Sequence, residues 1–291
     1  MTRHFLTAAA TLFVAACAPV AEPAAAPPRA VEDATGAPGF LLTSERSTPG
    51  QRAAARDLLL AEFERLGIPA EARPYETGDY PSVRVRGDQT LSGANIVATL
   101  PATTGSNRHI VLGAHYDTVP GSPGVDDNAS GVQIALSVAR ALAALETRDA
   151  TIHFTFFDQE ELGLIGAQVN AARWKAGDIP LEAMHNIDMI GWDSDDDGVI
   201  EFDSNRDEVT ALYQRSVAGL PVSLLVTTYP NTDHEAYRRQ GFTVASISEE
   251  FEDGSQNPQY HQPGDTAVEL GYFRAAETLM IRVFTALVTP Q

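Results

Sequence analysis

Residues 110–117, Ile110-Val111-Leu112-Gly113-Ala114-His115-Tyr116-Asp117, pass from an unbroken apolar run into polar side chains. An apolar run without alternation marks a strand buried on both faces, because neither face has to meet water. Short stretches partly continuous in hydrophobicity recur at Ala94-Asn95-Ile96-Val97-Ala98-Thr99-Leu100, and at residues 152–157, 185–188 and 244–247. Between these runs lie helix-like stretches at 131–145, 162–175, 208–218 and 273–288. An earlier helical pattern opens at Ser47-Thr48-Pro49, places Leu58, Leu59, Phe63 and Leu66 at helical spacing, and ends at Gly67. Strands alternating with helices predict an α/β sandwich with a mainly parallel sheet.

The chain has 291 residues, 44% hydrophobic and 20% charged, which allows a sizeable core and excludes a disordered, collagen-like or polytopic membrane protein. Twenty Lys and Arg against 39 Asp and Glu leave a net charge of −19, the wrong sign for gripping a nucleic-acid backbone. The single cysteine can form neither an internal disulfide nor a Cys-rich zinc site. Any metal must therefore be held by His and carboxylates.

That cysteine ends residues 1–17, where Arg3, an apolar run from Phe5 to Phe13 and Val14-Ala15-Ala16-Cys17 follow the order of an export signal. Val14-Ala15-Ala16-Cys17 closely resembles a bacterial lipobox, which implies a lipid on Cys17. With Ala18 after it, the expected location is the periplasmic side of the envelope, as an outer-membrane lipoprotein. Residues 18–38, rich in Ala and Pro without amphipathic period, read as an extended tether. Residues 39–291 show neither an internal repeat nor a second composition regime, and read as one domain.

Metal-competent residues fall just after the strands, where open α/β sheets bind ligands. In an extended chain His115 and Asp117 face the same way, so Asp117 can orient the imidazole. Asp126 and Asp127 stand in Gly124-Val125-Asp126-Asp127-Asn128-Ala129-Ser130-Gly131, which runs into a helix. Glu160 and Glu161 follow the next strand in Phe157-Asp158-Gln159-Glu160-Glu161. As neighbours they must diverge, one toward a metal and the other toward its water. Asp188 ends another strand, and His261 lies in Tyr260-His261-Gln262-Pro263-Gly264-Asp265-Thr266.

This series, in this order from about residue 40 to the C-terminus, resembles metallopeptidase family twenty-eight, the secreted dinuclear-zinc aminopeptidases. The resemblance implies a three-layer α/β/α sandwich with a mixed, mainly parallel central sheet. It implies two zinc ions bridged by Asp126, with His115 and Asp188 completing one site and Glu161 and His261 the other. Glu160 would be the general base toward a bridging metal-activated water, and Asp117 the partner of His115. The Asp126–Asp127 peptide would be cis. Tyr229, in Thr228-Tyr229-Pro230-Asn231-Thr232-Asp233-His234, resembles the family's oxyanion-stabilising tyrosine, although Thr232 stands where serine is usual and no cysteines flank the loop. The implied partner is a peptide with a free N-terminus, acted on by a monomer.

Asp126, Glu161 and Asp188 bring three negative charges to one pocket, and two divalent ions would offset them. Glu160, Asp127 and the acidic stretch Glu249-Glu250-Phe251-Glu252-Asp253 could hold a substrate's α-ammonium. Other readings on this scaffold are a glutaminyl cyclase, which usually lacks the Asp126–Gly131 pattern, and a carboxypeptidase or dipeptidase, for which only Arg173 offers a cation near the motifs. A catalytically inactive binding lipoprotein is the reading from another class. Asp193-Ser194-Asp195-Asp196-Asp197-Gly198 has the spacing of a calcium loop. Ser204 at its twelfth position rules out an EF-hand, leaving either a solvated acidic turn or a structural Ca2+ on Asp193, Asp195 and Asp197.

Overall fold

The computed structural model describes residues 39–87, 89–251 and 254–290, all within one compact unit. The expected lipid-anchor segment 1–17 and tether 18–38 lie outside the described residues. No helix among the described residues is long and apolar enough to cross a membrane.

Eight strands form one sheet: β1 (Ala70–Glu76), β2 (Ser92–Leu100), β3 (His109–His115), β4 (Thr151–Phe157), β5 (Leu181–Ile187), β6 (Val199–Ser204), β7 (Ser223–Val226) and β8 (Val244–Ser248). They lie in the order β1-β2-β4-β3-β5-β8-β6-β7. The central neighbours β4, β3, β5 and β8 are mutually parallel, β6 pairs parallel with β7, and β1, β2 and β6 bring antiparallel pairings. The sheet is thus mixed with a parallel centre, as the resemblance implied.

Six helices cover the sheet: α1 (Pro49–Arg65), α2 (Gly131–Ala143), α3 (Ile165–Ala176), α4 (Asp207–Ser216), α5 (His234–Arg239) and α6 (Leu270–Val288). Strand alternation sorts them into two layers. Ile110, Leu112 and Ala114 of β3 join the core with Leu59 and Phe63 of α1, Tyr213 of α4, and the buried faces of α2 and α6. Val111, one residue out of phase, packs with Ala167 and Ala171 of α3 and Ala236 and Tyr237 of α5. Each fully buried large apolar side chain contributes roughly 1.5–3 kcal/mol. At the start of α1, Thr48 accepts the Gln51 N–H at 3.3 Å and its own N–H donates to Gln51 Oε1 at 2.9 Å, a reciprocal cap that the Ser47-Thr48-Pro49 reading anticipated.

Candidate metal centre

Three of the four parallel central strands deliver site residues from their C-terminal ends. His115 is the last residue of β3, Glu160 and Glu161 follow β4, and Asp188 follows β5. Asp127 sits in non-helical backbone (φ −100°, ψ 90°) within the Val125–Ser130 turn that leads into α2, and His261 comes from the loop before α6.

His115 Nε2 is 3.1 Å from Asp127 Oδ1 and 3.2 Å from Asp188 Oδ1. His261 Nε2 is 3.1 Å from Asp127 Oδ2 and 3.1 Å from Glu161 Oε2. The two oxygens of Asp127 thus serve two separate imidazole–carboxylate groups. Two donors on one tetrahedral zinc, each about 2.0–2.1 Å from it, stand about 3.3 Å apart, so these spacings fit ligands of a common ion. Among the described residues Glu161 Oε1 is buried without a hydrogen-bond partner, as suits an acceptor for a cation.

The carboxylate that stands between the two imidazoles is Asp127 and not, as the sequence suggested, Asp126. Asp126 points the other way: Oδ1 accepts the Gly191 N–H at 2.8 Å and Oδ2 accepts Asn257 Nδ2 at 2.9 Å, with Glu249 hydrogen-bonded beside it. Its oxygens are committed to the protein. Gly191 allows this approach, since a Cβ there would stand 2.5 Å from Asp126 Oδ1. The cis peptide likewise lies one bond later than expected, between Asp127 and Asn128.

The acidic stretch is a second correction. Glu249 is fully buried, accepting the Trp192 N–H at 2.9 Å and the Asn257 N–H at 2.8 Å, so it braces the loop from below and does not line the cavity. Glu252 and Asp253 lie outside the described residues.

Asp117 does more than face His115. Its Oδ1 is 3.5 Å from His115 Nδ1 and accepts the Glu160 N–H at 3.0 Å, while Oδ2 accepts the Glu161 N–H at 3.3 Å. Two supports carry little signal in the sequence. Asp265 accepts the N–H groups of Asp126 at 2.8 Å and Asp127 at 3.1 Å, fixing the turn that aims Asp127. Buried Arg46 donates to the carbonyls of Tyr116 (2.6 Å), Pro123 (2.7 Å) and Gly124 (2.8 Å), clamping the loop between the His115 and Asp127 positions. Burial lowers its pKa to about 10, still cationic at neutral pH.

Burial and the charge of Asp127 push the Glu161 carboxyl up to about 7. Burial, then Asp188, Asp233 and Glu161, drive Glu160 well above the ordinary carboxyl range. Against the pull of burial, Asp127 and Glu161 raise His261 to about 10. Buried Asp233, neither of whose oxygens has a hydrogen-bond partner among the described residues, is also pushed well up by burial and by Asp188, Asp117 and Glu161. Mutual repulsion on this scale is what bound cations relieve.

Backbone conformation at the site is unusual. Gln159, Met189 and His261 adopt positive φ of 60°, 49° and 59°. Such conformations cost on the order of 1–3 kcal/mol each and persist where the surroundings enforce them. Met189 is gripped by Asn128 Oδ1, which accepts its N–H at 3.2 Å, and by the Glu249 N–H, donated to its carbonyl at 2.7 Å.

Above the centre is a cavity of about 340 Å³ lined by His115, Asp127, Glu160, Glu161, Asp188 and His261 together with Tyr229. Burial raises the Tyr229 phenol well above its usual pKa, keeping it a proton donor. Arg173 donates instead to Tyr80 Oη and the Pro74 carbonyl and is not on the cavity wall. Elsewhere, Asp193, Asp195 and Asp197 hold oxygens within 4.8 Å of one another at the surface, where Asp193 accepts the Gly198 N–H and Asp197 the Val199 N–H within their own turn.

A family model described as Peptidase family M28 matches residues 95–281, a span containing Asp127, every other residue of the centre and Tyr229. The chain belongs to peptidase family M28. It is 35% identical over 162 residues to a probable zinc metalloprotease of Pyrenophora teres f. teres, covering 51% of this chain and 34% of that protein. It is 28% identical over 203 residues to a probable leucine aminopeptidase of Trichophyton verrucosum, covering 64% and 54%. This member of the family therefore spans about a third to a half of the length of those curated relatives. Its fold is shared with an aminopeptidase from Aneurinibacillus sp. strain AM-1, at a TM-score of 0.71 and 17% identity over 87% of this chain and 92% of that one. It is shared equally with a glutaminyl cyclase of Bacteroides thetaiotaomicron, at 0.69 and 16% over 84% and 94%.

Proposed function

We propose that this M28 protein is a dinuclear zinc aminopeptidase. The observation that carries the reading is the split of Asp127, one oxygen toward His115 and Asp188 and the other toward His261 and Glu161. Those five side chains would hold two zinc ions. Bound there, the ions would lower the pKa of water toward ~7 and polarise a substrate carbonyl.

The protein's own groups supply the rest. Glu160, set on the cavity wall by Asp117, takes the proton of the attacking water and returns it to the departing amine. Tyr229, kept protonated, donates to the oxygen that gains charge in the tetrahedral state. The cavity presents carboxylates, and no Lys or Arg lines it among the described residues. That polarity favours a substrate's α-ammonium over a C-terminal carboxylate, and so an aminopeptidase over a carboxypeptidase. Two complete imidazole–carboxylate groups favour two-metal hydrolysis over single-zinc cyclisation. The probable zinc metalloprotease and leucine aminopeptidase relatives support the same reading.

The test compares one peptide with a free and an acetylated N-terminus, following products by mass. Stepwise loss of N-terminal residues, with acetylation costing at least ~10²-fold in kcat/KM, is expected. Comparable rates, interior cuts, or ammonia release from an N-terminal glutamine without peptide cleavage would overturn it. We also propose that Cys17 carries a lipid and that the Ala/Pro-rich segment holds the enzyme off the periplasmic face of the outer membrane. The lipobox-like residues 14–17 support this location.

A further inference from the structure

Tyr229 lies in the loop between β7 and α5. A donor that must meet a developing oxyanion at about 2.7–3.1 Å has to be held in place, so a loop position calls for a brace. The contacts of Tyr229 converge on one buried pair, Asp203 and His234, 1% and 0% exposed, to which the chemistry above assigns nothing.

Asp203 follows Phe202 in β6 and takes the face opposite to that core residue. Its Oδ2 accepts the Tyr229 N–H at 3.1 Å and lies 3.2 Å from His234 Nε2, while Oδ1 lies 2.7 Å from Arg238 Nη2. His234 and Arg238 stand four residues apart on α5, so one helix face supplies both partners. Against the pull of burial, these two hold the Asp203 carboxyl below its usual range. With Asp203 ionised and Arg238 cationic the group is already neutral, so the imidazole needs no charge of its own. Its Nε2–H then donates to Asp203, and the bare Nδ1 accepts the Thr232 hydroxyl at 2.5 Å. Thr232 Oγ1 lies 3.5 Å from Ser246 Oγ, and Ser246 hydrogen-bonds the Tyr229 phenol. The His234 ring also meets the Tyr229 ring edge-on, 5.4 Å between centroids. Main chain, ring and hydroxyl of Tyr229 are thus tied to the same carboxylate–imidazole pair.

We infer that Asp203 and His234 are positioning residues that aim the Tyr229 hydroxyl at the oxygen gaining charge in the tetrahedral state. The inference rests on the aminopeptidase reading and adds to it the pair that makes Tyr229 effective. A phenol that accepts from Ser246 keeps its own proton for that oxygen. Its 3.5 Å contact with the Glu201 carbonyl is long for a hydroxyl donor, so a substrate oxygen can replace it at little cost. Misplacing such a group by about 1 Å can cost about 10²-fold in rate, which is the loss the pair prevents.

The experiment is a double-mutant cycle on an aminoacyl amide, with zinc content read by elemental analysis. Tyr229→Phe is expected to lower kcat by about 10²-fold. His234→Phe should lower it by about 10–100-fold in the parent, with KM and zinc content little changed, but by less than about threefold once Tyr229 is Phe. His234→Gln, whose amide can still donate to Asp203, should recover part of the loss, and it runs the same cycle should His234→Phe not fold. A merely structural His234 gives losses that multiply, and multiplying losses or a loss of zinc overturns the assignment. Hydrogen exchange over residues 227–232 gives a readout independent of turnover: it should run at least about tenfold faster in His234→Phe than in the parent, with His234→Gln between them. Exchange unmoved in both variants overturns the assignment whatever the kinetics. If the parent itself leaves the amide intact, the aminopeptidase reading falls and the exchange still decides whether the pair holds Tyr229.

Discussion

Asp117 Oδ1 accepts the backbone N–H of Glu160 at 3.0 Å. Through its other oxygen the same carboxylate holds Glu161, and it lies 3.5 Å from His115 Nδ1, so one side chain positions the proposed base and two proposed ligands. Asp117→Ala should therefore lower zinc affinity by about 10–100-fold and reduce kcat even at saturating metal. Titrating zinc into the variant while measuring kcat separates the two effects. If saturating zinc restores full kcat, Asp117 does not position Glu160.

Glu160→Gln removes the proposed proton carrier but none of the proposed ligands. Turnover should fall by about 10²–10⁴-fold with two zinc ions per chain still present by elemental analysis. Loss of metal in this variant would move Glu160 from base to ligand.

Asp126 and Asp127 can be told apart by metal content. Asp127→Ala should remove metal from both positions, because each imidazole group loses its shared carboxylate. Asp126→Asn should keep both ions and show its defect in thermal stability, since what it disturbs are bonds to Gly191 and Asn257. The reverse pattern would restore the assignment made from sequence.

That pair also shows what a sequence conceals. The parallel strands β3, β4, β5 and β8 were legible because burial on both faces leaves short stretches at least partly continuous in hydrophobicity. Edge strand β1 was not, since Glu71, Arg73 and Pro74 meet solvent and break the pattern. Short β6 follows the acidic turn 193–198, and β7, after α4, spans only Ser223–Val226, too few residues to show a period. The residue types of the site were legible from their recurrence after successive strands. Which of two adjacent aspartates turns inward was not, because Gly191, Asn257 and Glu249, which decide it, are remote in the chain. Arg46 was hidden for a related reason: it binds carbonyls, which every residue has.

The proposed anchor at Cys17 is tested outside the folded domain. Cys17→Ser should yield soluble protein or unprocessed precursor, whereas the parent partitions into the detergent phase. Equal partitioning of the two forms would reject a lipid on Cys17.

A final prediction concerns acid stability, away from the metal centre. His185 is fully buried, with Nδ1 3.0 Å from Tyr213 Oη and its ring stacked on Tyr213, 5.9 Å between centroids, and edge-on to Phe284. Burial lowers its pKa from 6.5 to about 3. The folded pKa lies below the unfolded one, so the unfolded chain binds more protons between these values. Stability is then complete above about 6.5 and falls as the pH drops toward 3, by on the order of 1.4 kcal/mol per unit. His185→Phe removes the titrating group and the bond to Tyr213 together. It should cost stability at pH 7.5 while flattening the decline between pH 6.5 and 4. Urea midpoints measured across that range read both effects. A variant whose midpoint falls as steeply as the parent's would show that His185 does not govern acid sensitivity.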